Sequence, residues 1–120
     1  MKRTKLVGKS NWATVAFLLI NKILGGEDRV FSRPQLMSTE NLHAAVIFLM
    51  LLGHKEKPTR PDASLQKTIQ ILRDQGYIEF RGQGEYKLTE MGYRKMLDVI
   101  KRHQKIINKL NRDLREDLTV

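Results

Sequence analysis

The feature that most limits the fold of this chain is a periodic run of apolar side chains toward its C-terminus. Tyr93, Met96, Ile100, His103, Ile107, Leu110 and Leu114 step by 3, 4, 3, 4, 3 and 4 residues, an a/d heptad seam with His103 as its one polar member. Arg94, Lys95, Lys101, Arg102, Lys105, Lys109 and Arg112 fall on the opposite positions, so one side is apolar and the other basic. The helix is predicted to start at Thr89 and to reach Leu114 or beyond. About 25 residues at about 1.5 Å each span about 38 Å, more than a body of roughly 80 residues covers. Part of the seam is therefore expected to meet a second copy, and the expected assembly is a homodimer.

The remaining chain reads as alternating short elements. Ser10 or Asn11 starts a first helix to about Leu24, with Trp12, Val15, Ala16, Leu19 and Ile23 at helical spacing. Arg29 to Phe31 is a short extended segment. Ser32-Arg33-Pro34 is a helix-start signal, and a break near Ser38-Thr39 lets one of those hydroxyls cap a continuation to Leu52. The run Leu42 to Leu52 has only His43 as a polar member, is too short for a bilayer that needs about 20 residues, and is expected to be a helix buried on all sides. After a polar loop from His54 to Pro61, Asp62 or Ser64 caps a helix whose Leu65, Ile69 and Leu72 face inward. Tyr77 to Arg81 and Glu85 to Leu88 form a hairpin through Gly82-Gln83-Gly84, a turn that calls for positive φ.

Charge separates a neutral body from basic flanks. The segments 1–9, 10–53, 54–88, 89–112 and 113–120 sum to +4, 0, +2, +5 and −2, which makes up the net +9. This surplus favours a polyanionic partner. A basic start followed by Ala13 to Ile20 has the outline of a signal peptide, but Asn21 and Lys22 interrupt the apolar stretch, no small-residue cleavage site follows, and Gly25-Gly26 ends it as a helix would. The chain has no cysteine, which excludes a disulfide framework, a zinc ribbon and a thiol nucleophile, and a cytoplasmic location is the expectation. No membrane contact is expected.

The expected class is mainly α with a small β-hairpin (α+β): a basic arm over 1–9, a winged helix-turn-helix domain over 10–89, and a dimerisation helix with acidic tail over 90–120. In that layout a polar helix enters the major groove of double-stranded DNA and the hairpin reaches the backbone or minor groove. Gln66, Lys67 and Gln70 are the base-edge candidates, because Gln pairs with adenine N6/N7 and Lys donates to guanine O6/N7. Ser64, Thr68 and Arg73 are the phosphate candidates, Arg81, Gln83 and Lys87 the wing candidates, and Lys2, Arg3 and Lys5 an arm that tracks phosphates. The alternative is a winged helix used for protein contacts within a larger assembly.

Gln70, Leu72, Arg73, Asp74, Gly76, Ile78, Glu79, Phe80, Gly82, Gly84 and Tyr86, with Pro61-Asp62 ahead of them, form a pattern that resembles the winged-helix domain of Dam-replacing restriction endonucleases. The resemblance spans residues 65–88 and implies a recognition helix and a wing. Where that family carries a basic residue this helix has Gln66, its link before the helix is shorter, and its nuclease domain has no counterpart here. The stretch from Glu85 to Gly92 running into the heptad helix, over 85–114, resembles small dimeric winged-helix DNA-binding proteins with a C-terminal coiled coil, which implies transcriptional regulation or another DNA-associated role.

Catalytic readings are weak. Pro61-Asp62 with Glu85-x-Lys87 has the lettering of a metal-dependent nuclease, but such a site wants its carboxylates on adjacent strands, and Asp62 precedes a helix. His43 is expected in or at the edge of the core, His54 in the loop, and His103 as a register-setting polar group in the seam, none at metal-ligand spacing. Neither a phosphate-binding glycine loop nor a dinucleotide fingerprint is present. No enzyme activity, cofactor, metal or small-molecule ligand is expected.

Overall fold

The computed structural model describes residues 11–25 and 29–119, the side chains of 114–119 excepted. The arm residues Lys2, Arg3 and Lys5, the Ser10 cap and the side chain of Leu114 lie outside this range. The chain is mainly helical with one small antiparallel sheet: α1 (Asn11–Leu24), β1 (Val30–Ser32), α2 (Arg33–Leu36), α3 (Thr39–Leu51), α4 (Pro61–Asp74), β2 (Ile78–Gly82), β3 (Glu85–Leu88), α5 (Glu90–Arg102) and α6 (Gln104–Thr119).

Local chemistry sets most of these boundaries. Ser32 caps α2 in a capping box with Gln35, and Pro34 sits in its first turn. Ser38 caps α3 and Thr89 caps α5, each by accepting a backbone N–H three residues on. For α4 the cap differs from expectation: Arg60 is the N-cap residue and Pro61 opens the helix, while the Asp62 carboxylate turns back to the Arg60 guanidinium. The sheet order is β1-β3-β2, with Phe31 opposite Tyr86 and Tyr86 opposite Phe80. The Phe31, Tyr86 and Phe80 rings form a continuous row at centroid spacings of 5.6 and 5.4 Å, with Phe31 and Tyr86 buried and Phe80 at the exposed end. Val15 to Ile20 of α1 are all buried, which makes α1 the central helix.

Two expectations about apolar segments are corrected. The helix α3 is buried only through Ala44, Ala45, Phe48 and Leu49, while Val46 and Ile47 are half-buried and His43 and Met50 exposed. His43 therefore belongs to the surface. The predicted single C-terminal helix is two helices, broken at His103 (φ −122°, ψ 31°), whose Nδ1 lies 2.9 Å from the Val99 carbonyl. The seam expected to meet a second chain is turned onto the chain's own body: Met96 and Leu110 are each 1% exposed, and Tyr93, Ile100, Ile106 and Ile107 pack around the same core. The reason is the surplus apolar surface of α3. Burying Leu110 with parts of Ile106 and Ile107 is worth several kcal/mol at about 1.5–3 kcal/mol per full side chain, against about 1 kcal/mol for each helical hydrogen bond lost at the break. The length argument for a second chain falls with the straight helix.

Candidate nucleic-acid interface

The helix α4 separates its side chains cleanly. Leu65, Thr68, Ile69 and Leu72 are buried, Lys67, Gln70 and Arg73 are exposed, and Ser64 and Gln66 are half-buried. Three of the expected contact residues thus project outward from one rigid element. Thr68 does not. It lies three residues after Leu65 and four before Leu72, in the inward stripe, and is 8% exposed. Its Oγ1 donates to the Ser64 carbonyl at 2.8 Å, which satisfies the hydroxyl within the helix. Thr68 is thus a core residue, not placed to contact a phosphate.

Two outward residues are already engaged. Gln70 Nε2 donates to Asp74 Oδ1 at 3.1 Å, an exposed bond that a base edge could replace at a cost of about 1 kcal/mol. The Arg73 guanidinium stands 5.1 Å over the Phe80 ring, which is 43% exposed. This contact ties α4 to β2, and Arg73 remains exposed.

The hairpin turn is built by its backbone. Gly82, Gln83 and Gly84 have φ of 91°, 54° and 76°, and Gln83 is the one non-glycine residue with positive φ among the described residues. The Arg33 amide donates to the Gly84 carbonyl at 2.8 Å, pinning the turn to the start of α2. On the outer sheet face Arg81 pairs with Glu85 at 3.9 Å, and Lys87 stands opposite Glu79. Two bases thus face two acids, so Arg81 and Lys87 present little net charge, while Gln83 stands exposed in the turn.

Between the turn, α2 and the first turn of α4 lies an open cleft of about 720 Å³. It brings Gln66 and Gln83 together, floored by Pro34, Met37 and Leu42 and rimmed by Arg33, Arg60 and Asp62. Arg33 and Arg60 were not singled out from sequence. Arg33 comes beside the wing because Ser32 of β1 pairs with Glu85 of β3, a pairing with no local signal. The two arginines are not equivalent. Arg60 is held by Asp62 at 3.2 Å, and this hydrogen bond both raises the Arg60 pKa and, with help from the Ala63 backbone, holds the Asp62 carboxyl below its usual range. Arg33 is exposed and has no ion pair among the described residues.

Of the nuclease lettering, Asp62 is paired with Arg60 and Glu85 with Arg81. Among the described residues no three His, Asp or Glu side chains come together as a metal site. No helix described is long and apolar enough to cross a membrane. Among the described residues the largest cationic excess lies elsewhere. Over 90–113, seven bases stand against Glu90, Asp98 and Asp113, a net of +4. Lys95, Lys101, Lys105 and Arg112 there are exposed and carry no ion pair among the described residues.

No family model, curated protein or solved structure matches this chain.

Proposed function

We propose that the chain is a winged helix-turn-helix protein that binds double-stranded DNA as a pair of copies, acting as a transcriptional regulator or another DNA-associated factor. The observation that carries this reading is one surface: exposed Lys67 and Gln70 on α4, Gln66 at its edge, and a glycine-flanked turn pinned beside Arg33. The order α1-β1-α2/α3-α4-β2-β3 and the sheet order β1-β3-β2 support the winged-helix assignment, as does the resemblance over 65–88. In this reading Gln66, Lys67 and Gln70 meet base edges, and Ser64, Arg73 and Arg33 meet phosphates. Gln83 leads the wing, with Arg81 and Lys87 following once their acidic partners are displaced.

The balanced charge of the α4 face and the wing favours one alternative, a protein partner on this surface. Salt titration of duplex binding separates the two. With about four phosphates neutralised per copy, and so about eight per pair, affinity should fall on the order of 10⁴-fold between 50 and 200 mM salt. Lys67→Ala and Gln70→Ala should flatten sequence preference more than they weaken nonspecific binding. Duplex binding absent at low salt would favour the protein-partner reading, and unchanged preference in both variants would remove α4 as the reading helix.

A further inference from the structure

We propose that two copies of this chain pair by exchanging α6. In the pair, α5 and α6 join through His103 into one straight helix, and the α6 of each copy takes the seat on the other copy that it occupies on its own body here. The inference rests on the paired form proposed above and concerns how that pair is made.

Three observations carry it. First, the heptad steps run through the break without a change of phase, from Tyr93, Met96 and Ile100 across His103 to Ile107 and Leu110. A chain built only to fold back needs no such register, and would more commonly carry Gly or Pro at its turn. From Tyr93 to Thr119 there is neither. The hinge is one residue, and rotating His103 from φ −122°, ψ 31° by about 60° and 70° brings it to helical values.

Second, a straight helix cannot keep its own seat. Glu90 to Thr119 is 30 residues, about 45 Å as one helix, longer than the 41 Å longest extent of the folded chain. Leu110, seven residues beyond the hinge, would be carried about 10 Å past it and out of its seat. The seat left open is lined by Leu18 and Phe48, and an identical α6 is its natural occupant.

Third, straightening supplies carbonyl partners to Gln104 and Lys105, which as the first residues of α6 have none four positions back within that helix.

The test uses the full chain without DNA, so its result is independent of the DNA-binding assignment. His103→Leu completes the apolar seam and favours a continuous helix, whereas His103→Gly disfavours one. Light scattering should show tighter pairing than wild type for the first and at least tenfold weaker pairing for the second, since the helical penalty of Gly counts once per copy. Because the chain lacks cysteine, Asn21→Cys with Asn111→Cys places one thiol on each wall of the α6 seat. A short bis-maleimide added to the dimer fraction should give covalent dimers on a denaturing gel. A dimer cross-linked only within each copy would overturn the exchange and leave pairing through another face. Wild type and His103→Leu both monomeric at all concentrations would overturn exchange and pairing together.

Discussion

Gly92→Ala is the substitution for which local propensity and tertiary packing give opposite signs. Gly92 is the third residue of α5, and at an unconstrained helical site the change would stabilise the protein by about 0.8–1 kcal/mol. Here α5 approaches the segment leading into β2 so closely that a Cβ would stand 1.8 Å from the Tyr77 carbonyl oxygen and 2.7 Å from its carbon. Both are backbone atoms and cannot swing aside. The two segments must separate by more than 1 Å, and the Thr89 hydroxyl, which donates to Gly76 at 2.6 Å and accepts from the Gly92 amide at 3.0 Å, loses its alignment. Overpacking at about 1–3 kcal/mol plus a weakened cap at about 1 kcal/mol exceeds the propensity gain. The net expectation is a loss of about 1–3 kcal/mol, read by urea denaturation as a lower midpoint at unchanged slope and by heating as a fall of roughly 4–10 °C. Equal or greater stability in Gly92→Ala would refute the close approach, and with it the docking of α5 that fixes the base of the hairpin.

Removing the Thr68 hydroxyl by Thr68→Val should leave duplex affinity unchanged, whereas Arg33→Ala should reduce the salt slope by about one unit per copy, or about two for the pair, both measured by gel-shift titration. The Glu90 carboxyl is held below its usual range, first by the hydrogen bond from Arg29 and then by that from Arg94. Its contribution is therefore present above the ordinary glutamate value and is lost as pH falls through it toward the lowered folded value. The stability gap between wild type and Glu90→Gln should accordingly narrow between pH 5 and about pH 3 in denaturant melts. Lys101→Glu with Lys105→Glu should slow association with DNA at low salt while leaving sequence preference intact, because charges on the outer faces of α5 and α6 act at a distance. A lost preference in stopped-flow and selection measurements would place that face in the specific complex.

What could be read from sequence was local, and what could not was a choice between equally local solutions. Ser32, Ser38 and Thr89 as caps, the glycine-flanked turn, and the inward Leu65, Ile69 and Leu72 each depend on a few neighbours and appear as expected. The spacing that buries Thr68 is also present in the sequence, since position 68 lies between 65 and 72 in the same stripe, and its phase outweighs its polar residue type. Arg33 was illegible because the β1–β3 pairing that carries it to the turn joins residues more than fifty positions apart.

The C-terminal seam is the instructive case. A heptad repeat states that a helix face will be buried and says nothing of what buries it. A second copy and the half-covered surface of α3 satisfy the same residues. The decision belongs to α3, which is apolar nearly all round and so has surface to spare beyond what α1 and α4 cover. When two partners of one surface are chemically the same helix, the covalent link alone favours the near one, through a local concentration that a free copy must match. In the exchange proposed above, concentration would set which form of the chain is present, and the length and stiffness of the link at His103 would set where the balance falls.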